Sequence, residues 1–457
     1  MGKYFGTDGI RGIVNKGLDA KLAFDVGQAT AMVLAESSKS GKKPLVVIGK
    51  DTRISCDLLE AAITAGLCSA GADVMPIGVI PTPAVAFITT DCKADAGIVI
   101  SASHNPYEYN GIKIFNGSGF KLSDELELKI EELIDGDAPF TIKQNGDVGR
   151  VISRGGEFLE RYVDHIVQVS EGRIGRLKVM IDCSNGAATR TVNDIFNRFP
   201  LDLEIIKDHP DGCNINANCG STHIEVLGRM VVAGGFDLGL AFDGDADRCL
   251  AVDENGQLVD GDKIMAICGR AMIAEGKLRQ NAIVATVMSN LGLHEYCGKN
   301  GIDLRCAAVG DRNVLEMMQE NGFNLGGEQS GHLIFLDHAT TGDGQLAAVR
   351  FLGVLSQSGK KLSELARDIP TYPQVLRNIS IEGGNVVKEQ IMSDASLKKL
   401  IVDEQTALGN TGRILVRPSG TEALIRVMVE AADQNTSDQV ALRISEYIEN
   451  LSKNMKM

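Results

Sequence analysis

The sequence is short of positive charge: 46 Lys and Arg face 60 Asp and Glu, which leaves a net charge of −14. This excess of negative charge argues against broad binding to nucleic acids or to anionic membrane surfaces. Long apolar runs are missing too, and about twenty apolar residues in a row are needed to cross a bilayer. The opening residues, MGKYFGTDGIRG, lack the apolar core of a signal peptide. We therefore expect no nucleic-acid partner, no membrane association and a cytoplasmic location.

Several common site signatures are also lacking. Proline is scarce, with 11 residues in 457, so long flexible linkers are not expected. The ten cysteines contain no C-x-x-C pair and several lie in apolar runs, so we expect reduced thiols, mostly in cores. The seven histidines show no zinc spacing. A G-x-x-x-x-G-K-[ST] phosphate loop, an H-E-x-x-H motif and a G-x-S-x-G elbow are all missing.

The sequence does contain an alternation of strand-like and helix-like segments, which predicts βαβ units and mainly parallel sheets. Three times a strand ends in a polar loop of unusual chemistry, at SASHNP, DGDADR and GGEQSGH. Three α/β domains that each contribute one loop to a shared cleft would explain this rhythm. The C-terminal part instead predicts an α+β domain with antiparallel strands. The predicted domains are residues 1–153, 154–256, 257–370 and 371–457.

The first of these loops follows GIVI, a β-branched run that predicts a buried strand. Pro106 cannot continue a central strand, so Ser103, His104 and Asn105 are expected on a loop at the strand's carboxyl end. In α/β sheets that end is where ligands bind. On this stretch alone, an Asn-Pro turn and a nucleophile loop are equally good interpretations.

The second loop places Asp243, Asp245 and Asp247 directly after the apolar strand LGLAF. Three acids beside an apolar strand would repel one another without a cation, and Mg²⁺ prefers oxygen ligands. A calcium loop of the helix-loop-helix type is a weak alternative, because its sixth position needs Gly and is Arg248 here. A solvated acidic turn is the other alternative. We favour a metal site.

Two further loops carry groups suited to a phosphorylated sugar. In RPSGTE, hydroxyls and backbone N–H groups between two strands can form an anion nest. Its predicted phosphate contacts are Arg417, Ser419, Gly420, Thr421 and Arg426. A hairpin turn with two solvated arginines is the alternative. In GGEQSGH, Glu328 and Ser330 suit neighbouring sugar hydroxyls, although a plain loop is as good an interpretation. Arg11, Lys50 and Arg53 are candidates for the cationic lining that an acidic protein needs around a phosphate.

Together these motifs resemble those of the α-D-phosphohexomutases, over essentially all 457 residues and in the family's order. The segments that carry the resemblance are FGTDGIRG, SASHNP, NGIKIF, DGDADR, VGDRNV, GGEQSGH with TTGDG, and RPSGTE. Each motif is modest on its own, and their combination is specific. The resemblance implies four domains around one deep cleft. The first three would have related mixed or parallel α/β cores and the last would be α+β.

The resemblance implies that Ser103, and not Ser101, is the serine that becomes phosphorylated. It implies that Mg²⁺ is held by Asp243, Asp245 and Asp247, with the phosphate on Ser103 as a further ligand. The other catalytic residues that it implies, for proton transfer or phosphate contact, are Arg11, His104, Lys113 and His332, and Arg248 is a further site residue. The sugar-hydroxyl contacts would be Glu328 and Ser330, and RPSGTE would bind the phosphate that is not reacting.

The activity that the resemblance implies is the interconversion of glucosamine 6-phosphate and glucosamine 1-phosphate, through a bisphosphorylated sugar that reorients in the cleft. Sugar phosphates would be the partners, a sugar bisphosphate would prime Ser103, and the protein would be a monomer or homodimer. A mutase that prefers mannose or glucose phosphates, a phosphatase and a catalytically silent sugar-phosphate-binding protein are the alternatives. The chain departs from the family pattern at Ala423, usually Pro, and at Cys56, often Gly.

Overall fold

The structure is a computed structural model that describes residues 2–6, 8–37, 42–136, 140–153, 155–382, 384–419 and 423–454. It divides into two compact units. The first contains the described residues up to Met288 together with Gly301–Arg367, and the second contains Ser289–Asn300 and the residues from Asp368 onward. Among the helices of the described ranges, none has both the length and the apolar character that a membrane span requires.

The strands are β1 (Phe5–Gly6), β2 (Gly9–Ile13), β3 (Leu45–Lys50), β4 (Asp73–Val79), β5 (Ala96–Ile100), β6 (Tyr109–Asn116), β7 (Lys178–Asp182), β8 (Asp202–Ile206), β9 (Leu238–Phe242), β10 (Cys249–Asp253), β11 (Leu258–Val259), β12 (Ala282–Thr286), β13 (Asp303–Ala307), β14 (Leu325–Gly327), β15 (Leu333–Phe335), β16 (Gln374–Ser380), β17 (Arg413–Pro418) and β18 (Leu424–Glu430). The helices are α1 (Ala20–Ser37), α2 (Cys56–Ser69), α3 (Thr82–Asp91), α4 (Asp124–Asp135), α5 (Gly155–Val169), α6 (Val192–Phe196), α7 (Ile224–Gly234), α8 (Gly261–Ala274), α9 (Leu291–Asn300), α10 (Asp311–Asn321), α11 (Gly344–Ser358), α12 (Leu362–Arg367), α13 (Gly384–Ser393), α14 (Ala395–Leu408) and α15 (Gln434–Asn454).

The first sheet has six strands in the order β1-β2-β6-β5-β3-β4. All five residues of β5 are buried, as expected for a β-branched strand inside a covered sheet. Ile48 and Ile98 of this sheet share a core with Leu59 and Ile63 of α2. β3 runs parallel to β4 and β5, whereas β6 returns antiparallel to β5. The serine loop, residues 101–106, leaves the carboxyl end of β5.

The second and third sheets, in the orders β11-β10-β9-β7-β8 and β13-β12-β14-β15, repeat this arrangement. The metal loop, residues 243–248, joins β9 to its antiparallel neighbour β10. The sugar loop, residues 328–332, joins β14 to its antiparallel neighbour β15. The sheets are mixed rather than mainly parallel, because after each of these loops the chain returns beside its own strand without a crossover helix.

The second unit has a three-stranded antiparallel sheet in the order β16-β18-β17. Ile425 and Val427 of β18 share a core with Ile444 and Ile448 of α15. This confirms the predicted α+β pattern of the C-terminal part. Helix α9 belongs to this unit as well, although the sequence analysis places it in the third domain. The exact domain boundaries stay predictions.

Candidate active site

The serine loop distinguishes its two serines by their surroundings. Ser103 is buried and has a left-handed backbone, with a φ of +51°. Its hydroxyl donates to Oδ2 of Asp243 at 2.6 Å. The Ser101 hydroxyl instead donates to Asp51 at 2.6 Å and accepts the backbone N–H of Ser103 at 2.9 Å. The buried Cys56 thiol contacts the same Asp51, with Sγ 3.2 Å from Oδ1. Ser101 therefore supports the loop, while Ser103 faces the metal loop.

The metal loop brings its three aspartates together. Asp243, Asp245 and Asp247 are buried, and each offers a carboxylate oxygen that lies within 4.8 Å of the others. Oδ1 of Asp245 and Oδ1 of Asp247 are buried and have no hydrogen-bond partner among the described residues. Oδ2 of Asp245 accepts the hydroxyl of Thr82 at 2.6 Å. Buried oxygens that lack donors suit a hard cation, as the sequence predicts.

The charges within this loop are unequal. Burial, followed by the negative charges of Asp247 and Asp245, raises the pKa of Asp243 well above its ordinary value. Burial acts in the same direction on Asp245, but the Lys113 ammonium and the Thr82 hydroxyl outweigh it and lower that pKa overall. Two cations face the negative charge of this loop: Lys113, and Arg248, whose Nε lies 3.9 Å from Asp243 and 3.9 Å from Asp247.

Lys113 of β6 lies at the centre of the acidic residues. Its Nζ is 3.0 Å from Asp245, 3.4 Å from Asp247 and 3.1 Å from Asp8. Burial tends to lower the pKa of Lys113, but these carboxylates together raise it well above its ordinary value. Arg11 of β2 pairs with Asp8 as well. Lys113 and Arg11, two of the predicted catalytic residues, therefore both contact the Asp8 carboxylate.

His104 and Arg248 are in direct contact. Nη1 of Arg248 lies 3.2 Å from Nδ1 of His104. Because a guanidinium only donates, Nδ1 accepts, and the neutral ring carries its hydrogen on Nε2. Burial, with the charges of Arg248 and Arg11, lowers the pKa of His104 to about 4. His104 is therefore an uncharged group beside the metal loop near pH 7.

His332 closes the sugar loop and is buried. Neither of its ring nitrogens has a hydrogen-bond partner within the described part of the chain, although Nε2 lies 3.6 Å from Oδ2 of Asp311. Its backbone pairs with Arg248 in an isolated antiparallel bridge. This bridge joins the sugar loop to the end of the metal loop.

The sugar loop is fixed at its base and open at its tip. The backbone N–H of Glu328 donates to the His332 carbonyl at 3.0 Å, and its Oε1 accepts from the N–H of Gly310 at 3.2 Å. Ser330, at the turn, is exposed. The roles of Glu328 and Ser330 toward a sugar stay predictions.

In the second unit, Arg417 of β17 lies directly opposite Arg426 of β18. Two like charges at a cross-strand position repel each other, which favours an anion between them. Burial and the charge of Arg426 lower the pKa of Arg417. Ser419 is buried, and its carbonyl accepts the Lys388 ammonium at 2.7 Å. Gly420 and Thr421, also predicted to contact phosphate, lie outside the described residues.

Comparison with known proteins identifies the family. Four family models of phosphoglucomutase/phosphomannomutase domains match the chain. The models of alpha/beta/alpha domains I, II and III match residues 2–139, 160–256 and 260–372, in that order, and the model of the C-terminal domain matches residues 385–446. A phosphoglucosamine mutase of Acetivibrio thermocellus is 50% identical over 98% of this chain and 99% of its own length. One of Carboxydothermus hydrogenoformans is 50% identical over 99% of this chain and 100% of its own. The chain belongs to the α-D-phosphohexomutase family. It is therefore an enzyme, a mutase of the isomerase class.

Solved phosphohexomutase structures have the same fold. A phosphoglucomutase/phosphomannomutase family protein from Burkholderia thailandensis matches with a TM-score of 0.80 and 24% identity over 98% of each chain. The N-acetylphosphoglucosamine mutase of Aspergillus fumigatus, in complex with GlcNAc-6P and magnesium, matches with a TM-score of 0.71 and 18% identity, over 98% of this chain and 96% of its own. At these identities the comparison establishes the fold, and the predicted four-domain α/β architecture is confirmed.

Three charged residues of this phosphohexomutase site were not singled out by the sequence analysis. Lys121 Nζ lies 2.5 Å from Oδ1 of Asp8 and 2.5 Å from Oδ2 of Asp311. Asp8 also contacts Lys113, and Asp311 approaches His332, so a chain of ion pairs joins the predicted catalytic cations to the histidine. Asp8 and Asp311 lie inside the family segments FGTDGIRG and VGDRNV. Each segment has an acid within three residues of an arginine, Asp8 before Arg11 and Asp311 before Arg312, and this was a usable signal.

Two residues differ from their predicted role as a cationic lining. Lys50 Nζ is paired with Asp57 at 2.7 Å and with Glu60 at 2.5 Å. Arg53 is buried, and its Nε lies 2.9 Å from Oδ2 of Asp51. Both charges are therefore neutralised within the protein. Arg53 does not line a phosphate site because it is buried behind the serine loop. A sequence pattern does not reveal such burial.

Proposed function

We propose that this chain interconverts glucosamine 6-phosphate and glucosamine 1-phosphate, with Ser103 as the residue that carries the phosphoryl group. The contact between Ser103 Oγ and Asp243 Oδ2 at 2.6 Å supports this best, because it sets the hydroxyl against a buried group of three carboxylates. The choice of sugar is supported by relatives of 47% to 50% identity that are named phosphoglucosamine mutase and match almost the whole chain.

We propose Mg²⁺ as the cation, held by Asp243, Asp245, Asp247 and the phosphate on Ser103. The two buried carboxylate oxygens without hydrogen-bond partners in the described ranges, on Asp245 and Asp247, fit this donor set. When bound, Mg²⁺ would neutralise charge on the phosphoryl group and polarise its oxygens. Binding of the sugar phosphate, proton transfer and the exclusion of water would belong to the side chains of the protein.

In the first half-reaction a sugar hydroxyl attacks the phosphorus on Ser103, and the bond from phosphorus to Oγ breaks. We assign the hydroxyl's proton to His332, because its ring nitrogens have no hydrogen-bond partner among the described residues. Lys113, which contacts three carboxylates, contributes positive charge near the transferred group rather than a base. Oγ leaves as an alkoxide and takes up a proton from solvent, while His332 later releases its proton to solvent, so one phosphoryl group moves and the proton count balances.

In the second half-reaction the bisphosphorylated sugar presents its other phosphate to Ser103 and returns a phosphoryl group. A single carrier serine makes this reorientation necessary. The sugar loop, through Glu328 and Ser330, would therefore bind hydroxyls in two orientations. Arg417, Ser419 and Arg426, with Gly420 and Thr421, would bind whichever phosphate is not reacting.

Four further aspects of the function stay predictions from the sequence. A sugar bisphosphate would prime Ser103 by phosphorylating it. The partners would be small sugar phosphates rather than nucleic acid or membrane, and the protein would be a monomer or homodimer. The cytoplasm would be its location.

The decisive experiment compares Ser103→Ala with the wild type and with Ser118→Ala, which changes an exposed serine on the same domain. Each protein is incubated with Mg²⁺, a trace of ³²P-labelled sugar bisphosphate and glucosamine 6-phosphate, and the 1-phosphate is measured. We expect Ser103→Ala to lose about 10³-fold or more in turnover, since removal of a covalent carrier has effects of at least this size. Peptide mapping should place the label on Ser103 in the wild type and in Ser118→Ala.

Near-normal turnover of Ser103→Ala, or a wild-type enzyme that turns over without label on Ser103, would refute the proposal. Glucose and mannose phosphates assayed in parallel decide the sugar. If the enzyme turned over glucose phosphate or mannose phosphate faster than glucosamine phosphate, that sugar would be the preferred substrate, and the role of Ser103 would be unchanged.

A further inference from the structure

Two carbonyl oxygens of the serine loop each accept two side-chain hydrogen bonds. The carbonyl of Ser103 accepts from Nη2 of Arg53 at 2.8 Å and from Nδ2 of Asn216 at 2.9 Å. The carbonyl of Asn105 accepts from the same two nitrogens, at 2.8 Å and 3.0 Å. Arg53 and Asn216 thus hold the loop from two sides. Asn216 is more than a hundred residues away in sequence and lies between β8 and β9, two strands of the second sheet rather than the first.

The side-chain amide of Asn216 has only one arrangement that satisfies its neighbours. Its Oδ1 accepts the Ser184 hydroxyl at 3.0 Å, so Nδ2 faces the two carbonyls, which can only accept. Its backbone N–H donates to the Ser184 carbonyl at 2.9 Å. Ser184 is fully buried, and its own N–H donates to Asp182 at 2.8 Å. The amide is therefore anchored from behind before it reaches the serine loop.

The metal loop packs onto the same point. A Cβ placed on Gly244 would lie 2.5 Å from the Ser103 carbonyl oxygen and 2.9 Å from Nδ2 of Asn216. Only glycine allows this approach, because a methyl group would overlap both atoms. The backbone of Ser103, the amide of Asn216 and the start of the metal loop thus meet in one closely packed contact.

We propose that Asn216 is a positioning residue for the phosphoryl carrier, an inference that rests on the proposed role of Ser103. By donating to the carbonyls on both sides of His104, it keeps Ser103 at its left-handed φ of +51°, a conformation that costs energy for a residue with a side chain. It also links the serine loop to the domain of the metal loop, and so holds Oγ at 2.6 Å from Asp243. Asn216 touches neither the sugar nor the phosphoryl group in this role.

Asn216→Asp tests this inference with almost no change in volume. A carboxylate cannot donate, and it would set a negative charge against two carbonyl oxygens. Asn218→Asp is the matched control, because Asn218 is exposed and also has a positive φ, +52° against +58° for Asn216. We expect kcat of Asn216→Asp to fall about 10- to 100-fold, as for a misplaced reacting group, with KM within about twofold of wild type. The rate at which labelled sugar bisphosphate phosphorylates Ser103 should fall in parallel, and Asn218→Asp should match the wild type in both.

Ser184→Ala keeps the test decisive if Asn216→Asp folds poorly. It removes the hydroxyl that orients the amide, and should lower kcat and Ser103 labelling together by about threefold or more without a change in KM. The inference would be overturned if a folded Asn216→Asp variant kept the kcat and the labelling rate of the wild type. If Asn216→Asp does not fold, the same result for Ser184→Ala would overturn it. So would a fall in kcat with labelling of Ser103 at the wild-type rate. Failure to label wild-type Ser103 at all would instead overturn the proposed function, so the two failures are distinguishable.

Discussion

Lys121→Met is the substitution whose effect on stability follows most directly from the structure. Lys121 bridges Asp8 and Asp311 at 2.5 Å each, with 13% of its side chain exposed and 23% and 18% of theirs. Methionine keeps most of the aliphatic stem and removes the charge. Breaking a buried ion pair from one side costs about 3–5 kcal/mol, because the remaining charge is left without a partner.

The two carboxylates do not share this cost equally. Asp8 keeps Arg11 and Lys113 as partners, whereas Asp311 is left with His332 at 3.6 Å. Because only the Asp311 carboxylate is left without a close cationic partner, we expect the loss in the free energy of unfolding to lie at the low end of this range, about 3 kcal/mol. For a unit of roughly 350 residues that melts as one, an unfolding entropy of about 2.1 cal/mol/K per residue converts this loss into a decrease in Tm of about 4 °C.

Differential scanning calorimetry of three variants measures the effect. The matched control is Lys129→Met, since Lys129 pairs with Glu125 at 2.9 Å while 48% and 78% of the two side chains are exposed. An exposed pair of this kind contributes about 0.3–0.5 kcal/mol, so its Tm should fall by less than about 1 °C. Lys121→Arg, which keeps the charge, should recover most of the loss. Equal decreases for Lys121→Met and Lys129→Met would refute the reasoning.

Two further predictions concern the metal and pH. Asp245→Asn should weaken Mg²⁺ binding by about 100-fold or more in calorimetric titration, because even groups that only support metal ligands contribute 10- to 100-fold; unchanged affinity, equal to that of the exposed control Asp202→Asn, would exclude Asp245 as a ligand. Asp343 is buried, which raises its pKa from an ordinary 3.8 to about 6, although it accepts the Tyr162 hydroxyl at 3.0 Å. Between about pH 4 and pH 6, folded Asp343 therefore keeps its proton while the same residue in the unfolded chain has lost it. Its contribution to the free energy of unfolding is complete below about pH 4 and is lost as the pH rises through about 6. The total loss is about 3 kcal/mol. The unfolding free energy of wild type relative to Asp343→Asn, from urea titrations, should fall by that amount from pH 4 to pH 7, and a difference that is independent of pH would contradict it.

Short-range patterns were sufficient to predict the alternation of strands and helices and the three loops of the first unit. LGLAF is entirely buried as β9 and is followed at once by Asp243, because a run of apolar residues that ends in acids can only be a strand reaching the edge of a core. The same logic places Ser103 after β5. The mixed character of the sheets was harder to predict, since hydrophobic runs alone do not fix the direction in which the next strand returns.

The contacts that fix the site could not be predicted in the same way. Thr82, which donates to Asp245, is the first residue of α3 and lies in a segment with no distinctive pattern. Lys121 contacts Asp311 across 190 residues of sequence, and only the packing of the first and third domains brings them together. Arg53 had the residue type expected of a ligand contact, but its burial against Asp51 gives it a structural role.

The bridge between Arg248 and His332 has a consequence for protein engineering. The N–H of Cys249 donates to the carbonyl of Gly331 at 3.0 Å, and a Cβ on Gly331 would lie 2.5 Å from the Cys249 carbonyl oxygen. The residues proposed to contact the hexose and those proposed to hold the cation are thus joined through one backbone bridge. A graft that imports a different hexose preference should therefore move both segments together as a single cassette.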